Sequence, residues 1–389
     1  MNRNILLLAV CQALLFTCTS LMVTSSALVG EQLTPSPTLA TLPLSLQFIA
    51  MMLTTFPASL LMKRVGRRAG LMTGILSGIA GASLCVYAVL HGRFSVFCMG
   101  SMLIGSFSSF GQYYRFTAAD VASAEYRSRA ISWVMAGGVA AAFLGPNLAA
   151  WTRQALAVPF AASFAALVGL QLLSLTLLSL LRIPPPTLQE SAASGRPLAE
   201  IARQPVFRVA VLTGMISYGV MNLVMTATPL AMHAFAQPFA DTAFVIQWHV
   251  FAMFAPAFFT GHLIRHLGVL NVMLIGSLLL IACAATNFAG ATVAYFATAL
   301  ALLGVGWNFV YVGATTLLTD TYTPAEKAKA QALNDFMVFS TVAVTAFVSG
   351  LLQHRLGWRF INAGVLPPIV LCLAAIVWLR RRQPHPPAA

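Results

Sequence analysis

Residues 39–62 read LATLPLSLQFIAMMLTTFPASLLM; KRVGRR follows at 63–68, and GLMTGILSGIAGASLCVYAVL fills 70–90. Neither apolar run holds a charge, and each can cross a hydrocarbon layer of about 30 Å as a helix, which takes about 20 residues. Between them stand Lys63, Arg64, Arg67 and Arg68, with Gly66 in their midst. The stretch therefore predicts two membrane helices joined by a basic turn.

The same pattern continues in both directions. Apolar runs lie at 5–30, 95–116, 128–150 and 158–181, and again at 206–232, 242–264, 270–289, 291–317, 331–352 and 359–379. With the first two they make twelve expected spans. Helices are the expected form, because the short alternating segments of membrane strands are missing. Composition agrees: 59% of the residues are hydrophobic and 8% charged, against roughly 25% charged in a soluble domain. A net charge of +13 would suggest nucleic acid only if a soluble fold carried it as a patch, so no nucleic-acid partner is expected. Cys11, Cys18, Cys85, Cys98, Cys283 and Cys372 all fall inside apolar runs without metal-type spacing and read as buried, inert thiols. The first run is longer than a signal-peptide core and is followed by another span, so it reads as a retained helix.

Charge orients the chain. If both termini share a side, 18 of the 22 Lys and Arg fall on that side, and only Arg93, Arg153, Arg355 and Arg359 fall opposite. The positive-inside rule then places both termini in the cytoplasm. One long polar stretch, 182–205, contains Pro184, Pro185 and Pro186 and separates six spans from six. It reads as a linker between a bundle at 1–181 and a second at 206–380, with a tail at 381–389.

The halves echo each other at an offset near 200. Asp120, Arg127, Arg129 and Ala130 precede the fifth span; Asp320, Lys327, Lys329 and Ala330 precede the eleventh. Ser59, Arg64 and Gly66 find counterparts in Gly261, His266 and Gly268. Repeats of six helices are a signature of secondary transporters. With Ser59, Lys63, Arg64, Gly66, Arg67 and Arg68, the turn after the second span is similar to the Gly-x-x-x-Asp-Arg-x-Gly-Arg-Arg motif of the major facilitator superfamily. Ser59 and Lys63 depart from that motif. The resemblance covers nearly the whole chain and implies an all-α fold of two pseudo-symmetric six-helix bundles, working as a monomer. It also implies a cytoplasmic gate drawing on Lys63, Arg64, Gly66, Arg67, Arg68, Asp120, Asp320 and Asp335. Since Lys63 replaces an acid, a swapped pair of Lys63 with Asp335 is one expectation for the closed gate. Gly137, Gly138, Gly145 and Pro146 in the fifth span resemble part of a family antiporter motif, and they also suit close helix packing.

By the same resemblance the first, fourth, seventh and tenth helices line a central cavity. Ser101, Gly105, Ser108, Gln112 and Arg115 step along one face of the fourth, and Gly214, Tyr218 and Asn222 along the seventh. Trp307 and Tyr311 stand one turn apart on the tenth with Asn308 beside them, and the first offers Gln12. Gln12, Ser108, Gln112, Tyr218, Asn222, Trp307, Asn308 and Tyr311 are the candidate substrate contacts, although amides and hydroxyls also tie helices together. Amides with aromatic faces suit a planar, hydrogen-bonding, neutral or weakly charged solute. None of the nine acids lies clearly at mid-membrane, which leaves His249 as the candidate for a coupling proton.

An enzyme is not expected, because no His-Glu-x-x-His, Gly-x-Ser-x-Gly or nucleotide-binding Gly-x-x-x-x-Gly-Lys-Ser/Thr sequence occurs. No cofactor and no metal are expected, and the partners are a small-molecule substrate and the lipid bilayer. The absence of any Asn-x-Ser/Thr acceptor fits a bacterial inner membrane. Import of a small organic solute and efflux of a drug or metabolite both remain open.

Overall fold

A computed structural model describes residues 3–122, 127–181, 196–323 and 326–382. The side chains of Lys63 and Asp120 lie outside the described residues. Helices dominate, as the hydropathy requires. The first half contains α1 (Arg3–Leu33), α2 (Leu42–Val65), α3 (Arg67–His91), α4 (Phe94–Gly111), α5 (Tyr114–Asp120), α6 (Arg127–Thr152) and α7 (Ala161–Ser179). A short α8 (Leu198–Arg203) follows. The second half then runs through α9 (Pro205–Ala234), α10 (Phe239–Phe254), α11 (Ala257–Leu267), α12 (Val269–Ala289), α13 (Val293–Thr319), α14 (Lys327–Gly364) and α15 (Leu366–Arg382).

These helices make twelve spans. α4 and α5 form the fourth; α10 and α11, bent by 44° beside Pro256, form the eighth. Lys329–Arg382 is 54 residues long, about 80 Å if straight at about 1.5 Å per residue, far more than one crossing. The chain turns within it at Gly357, whose φ of 77° interrupts α14, so the segment makes the eleventh and twelfth spans.

The twofold repeat read from the sequence is present in the backbone. Gly66 joins α2 to α3 at φ 85°, ψ 156°, and Gly268 joins α11 to α12 at φ 83°, ψ 147°. A side chain is strained at such angles, so both turns require glycine. Ala130 and Ala330 are both fully buried. Hydrogen bonds between the corresponding spans recur as well: Ser109 Oγ donates to Thr55 Oγ1 (3.1 Å) in one half, and Thr260 Oγ1 to Asn308 Oδ1 (2.7 Å) in the other.

The halves touch most extensively along two seams, α2 against α14 and α6 against α10, and α1 also meets α9 and α10. Across the first, Thr41 Oγ1 donates to Phe347 O (3.0 Å) and accepts from Gly350 N–H (3.2 Å), while Ser45 Oγ donates to Ala343 O (2.8 Å). Across the second, Asn147 Nδ2 donates to Gln247 Oε1, and Phe143 meets Trp248 and Phe251 edge-on. The Arg153 guanidinium lies 5.3 Å from the Phe160 ring and 4.8 Å from the Phe239 ring of the other half. Glu31 and His233 approach to 3.4 Å. All of these ties sit at the ends of the spans away from the termini or near mid-span. The two halves are therefore tied together on the side opposite the termini.

Candidate functional site

The aromatic candidates come together. Trp307 and Tyr311, one turn apart on α13, stack with ring centroids 5.2 Å apart and planes 12° from parallel. Tyr218, from α9, closes on both: its ring is 5.4 Å from Trp307 and 5.2 Å from Tyr311. Phe339 of α14 adds a fourth ring, 6.1 Å from Tyr218. Beneath this group, Phe48 of α2 packs with Val338, Val342, Ala343 and Ala346 of α14, and Tyr218 and Tyr311 rest on that cluster. The aromatic group therefore borders the seam between the halves.

Among the buried polar atoms here without a hydrogen-bond partner are Trp307 Nε1 and Asn222 Oδ1. Trp307 is 8% exposed and Asn222 1%. Asn222 lies one turn from Tyr218, and its Nδ2 donates to Val342 O (3.0 Å) and Thr345 Oγ1 (3.1 Å) on α14. A backbone carbonyl accepts only a donor, so the amide orientation is set and the oxygen turns away from α14.

Other candidates divide by place. Ser108 and Gln112 stand at the positions in the first half that Trp307 and Tyr311 occupy in the second, at an offset of about 200. Ser108 Oγ donates to Ile104 O in its own helix (2.9 Å), and Gln112 caps α4 through its backbone N–H. Gln12 is buried on α1. Asn308 bonds between helices: its Nδ2 donates to Met253 O (2.7 Å) and its Oδ1 accepts from Thr260 Oγ1 (2.7 Å). It braces the α10–α11 break from both sides and does not join the aromatic group. The neighbouring Trp307 points elsewhere because successive helical residues are turned by about 100°.

His249 also lies between helices. It is fully buried on α10, and its Nδ1 bonds Leu300 O of α13 at 2.8 Å. α13 approaches α10 here at Gly304, where a Cβ would stand 2.7 Å from His249 O. The crossing of α4 over α2, with Gly105 against the Gln47 carbonyl, is its counterpart in the first half. His249 is thus the equivalent of Gln47, at a close helix crossing. Gly137, Gly138 and Gly145 serve packing too: they lie against Ala13, the Phe254 ring and Ser20.

On the side of the termini, Arg68 donates to Ser179 O at 2.5 Å, Gly66 makes the turn already described, and Arg64 and Asp320 are exposed. Arg67 is half-buried. Asp335 accepts from Asn334 Nδ2 (3.1 Å) and interacts electrostatically with Arg115 of the opposite half. Arg115 is therefore the described cation that acts on Asp335. Sequence reasoning missed Glu326, which is 2% exposed. Glu326 accepts from Arg196 N, Nε and Nη2 (2.7, 2.8 and 2.8 Å) and from Thr323 N (3.0 Å). Arg196 Nη2 and Gln204 Nε2 also donate to Thr321 O, and Lys329 Nζ to Arg196 O. The Arg196 hydrogen bonds and those of the backbone hold the Glu326 carboxyl well below the usual carboxylate range. Arg196 and Gln204, before α9, are thereby pinned to the segment between α13 and α14.

All six cysteines are free and buried, and no group of metal-binding side chains occurs among the described residues. Twelve spans in two repeated halves, with a buried polar and aromatic group at their seam, define a secondary transporter. The family model of the Major Facilitator Superfamily matches residues 5–236 and 210–389. The chain belongs to that superfamily and is a membrane transporter of a small organic solute. It is 42% identical to the riboflavin transporter RfnT of Brucella anthropi over 379 residues, 97% of this chain and 95% of that protein. It is 25% identical to the uncharacterized transporter YddS of Bacillus subtilis, over 92% of this chain and 87% of the relative. Among solved structures, the xylose transporter XylE from E. coli, in a partially occluded inward-open conformation, superposes with a TM-score of 0.71. That match has 14% identity and covers 99% of this chain and 98% of the other, so the fold is shared.

Proposed function

We propose that the protein carries riboflavin, or a solute with the same fused-ring system, across a bacterial inner membrane. The observation that carries this reading is the aromatic group of Tyr218, Trp307, Tyr311 and Phe339, with unpartnered buried polar atoms on Trp307 and Asn222. Rings offer faces for stacking, and a buried donor and acceptor reward a solute that completes them. A flat heterocycle with polar edges meets both demands. The identity to RfnT over nearly the full chain supports the same solute.

The six-helix halves, 1–181 and 206–380, rock about this site, with both termini in the cytoplasm as the 18 basic residues on that side favour. The ties between halves at the far side make the present state one whose solute path faces the termini. The protein works as a monomer, since each half completes the other's site. His249 serves packing, because its Nδ1 is taken by Leu300 O and its ring fills a helix crossing. Ser108, Gln112 and Gln12 give the first half its polar contribution to the path.

Uptake of riboflavin into proteoliposomes holding the purified protein tests the reading. Protein-dependent uptake that unlabelled riboflavin competes away, and that Trp307→Ala reduces at least fivefold, is expected. Absence of uptake with and without an imposed proton gradient would overturn it. Arms with and without the gradient also separate coupled from facilitated transport.

A further inference from the structure

Hydrogen-bonding chemistry at the aromatic group is more specific than stacking alone requires. Asn222 spends its amide nitrogen on Val342 O and Thr345 Oγ1, leaving Oδ1 as a fixed acceptor turned away from α14. Trp307 contributes a fixed donor, because an indole N–H has no rotational freedom and lies in the ring plane. Both side chains are more than nine-tenths buried, and both atoms lack a partner. Both belong to the neighbourhood of one ring: Asn222 is a helical turn from Tyr218 on α9, and the Trp307 ring has its centroid 5.4 Å from that of Tyr218.

We propose that Asn222 and Trp307 determine specificity by reading the polar edge of a planar heterocycle. Asn222 Oδ1 accepts from an imide N–H, and Trp307 Nε1 donates to a carbonyl oxygen of the same ring system. Because the indole donor lies in its ring plane, Trp307 meets the edge of the solute, and the solute's face is left to Tyr218 and Tyr311. The substrate class is therefore a fused aromatic with an adjacent carbonyl and imide N–H, as in the pyrimidine end of an isoalloxazine. Flat hydrocarbons leave both buried atoms unpaired and sugars offer no flat face to the rings, so a site built this way disfavours both. The inference rests on the flavin reading above and adds which edge is read and by which atoms.

Equilibrium binding to the protein in nanodiscs, followed by quenching of flavin fluorescence, tests it with riboflavin and 3-methylriboflavin as probes. Methylation replaces the imide N–H with N–CH3 and leaves the fused rings and their carbonyls in place. Wild-type protein is expected to bind riboflavin at least tenfold more tightly than the methylated compound, and Asn222→Leu to bind the two alike. Thr345→Val removes a helix tie of Asn222 without touching Oδ1, and is expected to keep the preference. Trp307→Phe keeps a ring but loses the donor, so it is expected to weaken both compounds together and leave their ratio unchanged. Equal binding of the two compounds by wild-type protein would overturn the edge reading while leaving flavin transport standing, and this comparison needs no variant. A preference that survives in Asn222→Leu, or vanishes in Thr345→Val, would equally overturn it. Binding of neither compound would overturn the flavin reading and the edge reading together.

Discussion

Removing the hydrogen bonds between α2 and α14 should shift the transporter toward its other state. Thr41 makes two of them, with Phe347 O and Gly350 N–H, and Ser45 makes one, with Ala343 O. Thr41→Val keeps the shape of the side chain and Ser45→Ala trims one oxygen, so the double variant deletes three ties with little change in volume. A side-chain hydrogen bond inside a membrane protein contributes about 0.6 kcal/mol. The three together contribute about 2 kcal/mol, and since about 1.4 kcal/mol is tenfold, the ratio of states should move roughly 20-fold. The carbonyls and the N–H left behind stay in their helices, so no buried group is fully orphaned. Spin labels at Arg93→Cys and Arg355→Cys read the result, because both residues are exposed at the far side, one in each half. The six native cysteines are buried and take little label. Distances between labels should lengthen in a population about 20 times larger, relative to the closed one, than in the parent. A ratio within twofold of the parent would refute the claim that these bonds hold the far side shut.

Further outcomes follow from individual contacts. Asn308→Leu removes the brace across the α10–α11 break, and should lower stability by about 1–3 kcal/mol, since it leaves the buried Met253 carbonyl without its partner while Thr260 keeps Pro256 O. A thiol-reactive dye detects the loss as an earlier thermal exposure of the buried cysteines. Glu326→Gln breaks the ion pair with Arg196. Because the folded-state carboxyl titrates below its unfolded value, the pair's contribution is complete above the ordinary carboxylate range and is lost as pH falls toward the folded value. Melting curves of wild type and variant should therefore differ at pH 7 and draw together below about pH 4. His249→Asn can keep a donor near Leu300 O, and its uptake should depend on an imposed proton gradient as the wild type's does. A selective loss of that dependence would assign coupling to His249 instead of packing.

Much of the molecule is legible along the chain, for a definite reason. Span count, the linker and the duplication depend on apolar length, charge placement and repeated residue types, all of which are local properties. Gly66 and Gly268 illustrate this: two glycines at matching places proved to hold the same backbone angles. Trp307 and Tyr311 could be paired from spacing alone, because residues four apart on a helix share a face.

Asn308 and His249 were not legible in this way. Periodicity places residues around one helix but does not say which neighbour each face meets, since rotation about the helix axis is set by packing. Asn308 sits next to Trp307 in sequence yet braces a different helix, and His249 lies where Gly304 lets α13 come close. Thr41 and Phe347 are separated by 306 positions, and only the docking of one half on the other brings them to 3.0 Å. The amino-acid sequence by itself therefore determined a twelve-span, twice-repeated transporter with polar and aromatic residues on its inner helices. Tertiary packing decided which of those residues gather in the aromatic group, which bind helices together, and where the two halves meet, because each depends on contacts between spans that no local pattern encodes.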